Sequence, residues 1–119
     1  MTKAQQFILD VIQIVPDHIL CWVQAPSLEN TLFLSIFSDS GSWYRELLLS
    51  DLGKSKFSQL VEQPDVLDYF QSLEISVERK IIFKAYDGME FGQFHKSVNL
   101  PVDFTAKYGE DEYLMAPFD

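Results

Sequence analysis

Cys21 and His95 are the side chains in this sequence whose types could form a thiolate–imidazole pair, in which a base activates a nucleophile and a third group orients the base. Nothing in the spacing places them together. Cys21 lies in the apolar run Ile19-Leu20-Cys21-Trp22-Val23, without the helix-start or Gly-rich setting that lowers a thiol pKa. It is expected to pack as a small hydrophobe. Asp87, Glu90 and His95 are metal-ligand types, but in a hairpin that turns at Asp87-Gly88, Glu90 and His95 fall on opposite sheet faces. His18, beside Asp17, reads as an exposed turn residue or a partner for a helix C-terminus. Carboxylates are so numerous that no acid–base pair stands out, and the five glycines form neither GxxxxGK nor GxGxxG. No catalytic residue, metal ligand or cofactor is assigned.

Charge carries more information. The chain of 119 residues holds 18 Asp and Glu against 9 Lys and Arg, a net charge of -9. Such a surface repels phosphate backbones and anionic lipid, so neither nucleic acid nor membrane is expected as a partner. A basic protein surface is its natural complement, although solubility alone also accounts for acidity. A single cysteine excludes an intramolecular disulfide. No signal peptide and no membrane-spanning run of about twenty apolar residues is read, and a cytoplasmic location is expected.

The elements that would position these groups follow from periodicity. Thr2-Lys3-Ala4-Gln5 fits a capping box, and Phe7, Ile8, Val11, Ile12 and Val15 share one helical face, giving a helix over residues 3–15 that Pro16 stops. Three runs separated by turn-formers, Ile19 to Gln24, Thr31 to Phe37 and Trp43 to Leu49, read as an antiparallel meander, the third being equally able to open a helix. Trp22 and Trp43 are expected in the core, since only an exposed Trp would point to binding. Residues 55–63 and then Val66, Leu67, Phe70 and Leu73 have helical spacing, with Pro64 as a kink or a new first turn. Asp87-Gly88 suits a two-residue type I′ hairpin, which would set Phe83 opposite Gly92 and Ile81 opposite Phe94, the bare Gly92 leaving room for the Phe83 ring. A short helix from Asp103 to Tyr108 ends at Gly109. The expectation is one α+β domain over residues 1–119, an antiparallel sheet of about five strands against an N-terminal helix and a long or Pro-broken central helix.

Two acidic features remain. Glu62, Asp65 and Asp68 fall on the wet side of the central helical segment, and Glu110, Asp111 and Glu112 precede the apolar Tyr113, Leu114 and Met115. The tail either folds back to complete the core, as an edge strand, or forms a docking strip with a charged rim. The order of elements and the acidity resemble class I type III secretion chaperones, small dimeric cytoplasmic proteins that bind the export region of an effector. Those proteins end on a long helix, where this chain offers a short one. Size and charge also resemble those of small acidic immunity proteins, which neutralise a toxin domain, often by covering a basic active site. Both resemblances imply a non-catalytic interaction protein that docks a basic partner through Glu62, Asp65, Asp68, Glu110, Asp111, Glu112 and Tyr113. A homodimer through an exposed strand edge is compatible with this. The alternatives are a small-molecule module with an aromatic pocket drawn from Trp22, Phe33, Trp43 and Phe83, and a small enzyme.

Overall fold

Thr2 and Gln5 start the first helix, α1 (Lys3–Ile14), by capping each other: Thr2 Oγ1 accepts from the Gln5 N–H at 3.1 Å, and Gln5 Oε1 accepts from the Thr2 N–H at 2.6 Å. The structure, a computed structural model, describes residues 1–110 and 113–119. Phe7, Ile8, Val11 and Ile12 are fully buried, as their shared face requires. Among the described residues three further α-helices follow, α2 (Thr31–Ile36), α3 (Asp51–Glu62) and α4 (Val102–Tyr108).

Among the described residues, six strands form one antiparallel sheet: β1 (Ile19–Gln24), β2 (Ser38–Asp39), β3 (Arg45–Leu49), β4 (Ser72–Val77), β5 (Lys80–Tyr86) and β6 (Phe91–Phe94), in the order β2-β3-β1-β4-β5-β6. The architecture is α+β, with one strand more than expected. Period-two alternation sends Cys21, Val23, Leu49, Leu73, Ile75, Phe83 and Phe94 into the core. That core also takes Phe7 from α1, Phe57 from α3 and Phe104 from α4. The alternate positions Leu20, Trp22, Glu74, Lys84 and Gln93 are only half buried, and they make the other face of the sheet an open one.

Four expectations are corrected. The run from Thr31 to Phe37 forms the helix Thr31–Ile36 with Phe37 as its C-cap, because Asn30 Oδ1 accepts from the Phe33 N–H at 3.0 Å and the Phe33 and Phe37 rings meet at 5.0 Å inside the core. The meander is lost with it, and β1 pairs directly with β3. Trp43 precedes its strand and is 80% exposed, not core. Beyond Pro64 the helix does not continue: Asp65 takes a left-handed φ of +67°, one 3₁₀ turn spans Leu67–Tyr69, and Ser72–Val77 becomes β4. The two-residue turn belongs to Glu78 and Arg79, at φ +50° and +70°, between β4 and β5. Asp87 and Gly88 do turn with positive φ, but Met89 also does so and is buried. Tyr86 therefore pairs with Phe91 and Phe83 with Phe94, two residues away from the expected register.

The tail folds back. Gly92 bridges Leu114 and His95 bridges Phe118, both in parallel sense, with the Gly92 N–H donating to the Tyr113 carbonyl at 2.7 Å and the Phe118 N–H to the Phe94 carbonyl at 3.0 Å. The free edge of β6 is covered by the chain's own C-terminal residues.

Candidate functional site

The nucleophile and the base are far apart. β4 and β5 separate Cys21 on β1 from His95 beyond β6, a distance of about 14 Å across three strand spacings. Cys21 is fully buried, and burial pushes its thiol pKa far up, so the thiolate is not formed at neutral pH. His95 Nδ1 accepts from the Ser97 N–H at 3.0 Å, and its ring meets Phe118 edge to face at 5.4 Å. Desolvation, with Lys80 and Lys96 nearby, lowers its pKa against the pull of Asp119. Among the described residues no three His, Cys, Asp or Glu side chains converge as a metal site, and no helix is long and apolar enough to cross a membrane.

The sequence-predicted acids fare differently. α3 ends at Glu62, where Pro64 and the left-handed Asp65 turn the chain sharply. This turn brings Glu62, Asp65 and Asp68 to the wall of one open groove of about 440 Å³, with Leu67, Pro64 and Met1 beside them. The start of α1 completes it, held there because Gln5 Nε2 donates to the Val61 carbonyl at 2.9 Å. None of the lining residues is a Lys or Arg. Glu110 is exposed after α4 and does not line the groove. Tyr113 is half buried with its ring 5.8 Å from that of Phe7, which makes it an anchor of the tail. Asp111 and Glu112 lie outside the described residues.

Trp43 is a surface feature and not the core residue that its apolar neighbours suggest. It stands in the loop between β2 and β3, where the Ser40 hydroxyl donates to the Tyr44 carbonyl, the Gly41 N–H donates to Asp39 Oδ1 at 3.0 Å and Gly41 takes a φ of +77°. The turn-formers Ser40-Gly41-Ser42 just before it were the available signal. Trp22 lies on the open sheet face, its indole N–H donating to Glu46 Oε2 at 2.9 Å. Its cross-strand neighbours are Glu46 on β3 and Glu74 on β4, and Glu74 in turn faces Lys84 on β5. Tyr86 and Phe91 stack at 6.2 Å nearby, and Phe118 lies 4.3 Å from Lys84 Nζ. Desolvation and the Glu74 charge raise the pKa of Tyr86.

The four aromatics considered for a shared pocket are dispersed. Phe33 and Phe83 are core residues, Trp22 is on the open face and Trp43 is in solvent. The structure thus offers an acidic groove at the junction of α1 and α3, an aromatic sheet face, and an exposed indole in the β2–β3 loop. No protein-family model matches the chain, and no curated protein or solved structure matches it either.

Proposed function

We propose that the chain is a non-catalytic interaction domain that docks a basic partner protein, in the manner of an inhibitor, an immunity protein or a chaperone. The observation that carries this reading is the groove in which Glu62, Asp65 and Asp68 stand beside the exposed Pro64 and the 70% exposed Met1. Exposed apolar side chains beside three clustered carboxylates have the composition of a docking surface. The net charge of -9 extends the attraction beyond contact range and raises the encounter rate with a cationic surface. A lone buried Cys21 suits a reducing compartment such as the cytoplasm.

The purified chain, immobilised in lysate of its source organism at low and then high salt, is expected to retain a basic protein and release it as ionic strength rises. Glu62→Lys, Asp65→Lys and Asp68→Lys together are expected to abolish that retention. Retention of the same protein by the triple variant, or its indifference to salt, overturns the reading.

A further inference from the structure

A second surface cleft carries the opposite chemistry. The end of α1, the β4–β5 hairpin and the loop after β6 enclose about 570 Å³, within the size range of small-molecule sites. Its wall is apolar: Val15 and Ile82 belong to the core, and Ile14, Val77 and Val98 pack half buried against it. Polar groups stand at the rim, where Lys80 Nζ donates to Ser97 Oγ at 3.3 Å. Ser97 is itself fixed, because its Oγ lies 2.8 Å from His95 Nδ1 and its N–H donates to the same nitrogen. A ring nitrogen that accepts a backbone N–H carries no proton, so the hydroxyl proton points to His95 and the oxygen lone pairs face Lys80.

Local charge departs from that of the whole molecule. Arg79, Lys80, Lys96 and Lys54, whose Nζ donates to the Val15 carbonyl at 2.7 Å, gather four of the nine Lys and Arg residues at this end. The opposing carboxylates are Glu78 on the rim, Asp119, which pairs with Lys96 at 3.1 Å, and Asp17 beyond Pro16, which pairs with Lys54 at 2.9 Å. One cation at the mouth of an aliphatic cleft complements one anionic head on an aliphatic chain, and the rim carboxylate of Glu78 repels a second negative charge.

We infer that this cleft binds a small aliphatic monocarboxylate, its chain against Ile14, Val77 and Val98 and its carboxylate on Lys80. Amide NMR of the ¹⁵N-labelled chain, titrated separately with octanoate, 1-octanol and octyl phosphate, tests it. Octanoate is expected to shift the amides of Ile14, Val77, Lys80 and Ser97 saturably, and to bind about tenfold more tightly than the alcohol or the phosphate. Lys80→Met, an exposed position whose fold the same spectrum reports, is expected to remove that preference while leaving 1-octanol binding unchanged. Val98→Phe, which fills the cleft, is expected to weaken all three. Equal affinity for acid and alcohol, unchanged octanoate binding in Lys80→Met, or shifts scattered away from the cleft overturns the inference, and so does no shift up to about 10 mM octanoate.

Discussion

Gly92 and Phe83 occupy one space: a Cβ built on residue 92 would lie 2.6 Å from Phe83 Cζ and 3.1 Å from Phe7 Cε2. All three residues are buried, so neither ring can turn aside into solvent. Gly92→Ala is expected to destabilise the fold by about 1–3 kcal/mol through overpacking. Urea unfolding followed by circular dichroism measures it. An unchanged midpoint would show that the Phe83 ring yields without cost.

Thr2→Ala removes one half of the cap on α1. A loss of about 1 kcal/mol is expected, readable as a lower unfolding midpoint with unchanged denaturant slope. Gln5→Ala is expected to cost more, since Gln5 serves both the cap and the bond to the Val61 carbonyl.

Cys21 should be silent to a thiol reagent in the native state. Full burial and a raised pKa both withhold the thiolate, so labelling with an aromatic disulfide is expected only after denaturant is added. Rapid labelling of the native protein would place Cys21 outside the core.

Asp10 ties α4 to α1, accepting from Tyr108 Oη at 2.6 Å and from Lys107 Nζ at 2.8 Å. Desolvation raises its pKa, but the bonds from Lys107 and Tyr108 outweigh it and hold the carboxyl below its ordinary 3.8. The native state then binds fewer protons than the unfolded chain, so this stabilisation is present above about pH 3.8 and is lost as pH falls through the lowered value. Tyr108 is the mirror case. Burial, then Asp10, push its phenol from 10 up to about 12, so its contribution is whole below pH 10 and lost as pH rises towards 12. Tyr108→Phe is expected to flatten both limbs of the stability–pH curve. Identical limbs in wild type and variant would refute the linkage.

Trp43 should report solvent and little else. Its emission is expected to be red-shifted and open to iodide quenching, and Trp43→Ser is expected to leave stability within about 0.5 kcal/mol. A larger loss would mean that the indole is packed.

Local signals were legible in the sequence; competition between distant segments was not. The α1 cap and its apolar face lie within four or five residues of each other, and β1 appears with its expected bounds. α2 was misread because Thr31 to Phe37 is rich in strand-formers, while the deciding factors were the Asn30 cap and the burial of two rings on one side. β4 was missed because Leu67, Phe70 and Leu73 imitate helical spacing, even though Ser72-Leu73-Glu74-Ile75-Ser76-Val77 alternates cleanly. The hairpin register slipped because Met89 leaves its predicted place opposite Tyr86 to enter the core. Glu62, Asp65 and Asp68 could be grouped from sequence since seven residues span them. The apolar cleft could not, because residues 14–16, 77–82 and 97–99 meet only in the folded chain.

The sheet order also sets a schedule for synthesis. β1 leaves the ribosome before every other strand, yet it lies between β3 and β4, so its second side stays unpaired until β4 has also emerged. Strand β6 waits longer, because its outer hydrogen bonds go to Tyr113 and Phe118 and neighbouring tail residues. A released chain truncated near residue 110 would expose that edge as a template for other extended chains, and residues 113–118 withdraw it.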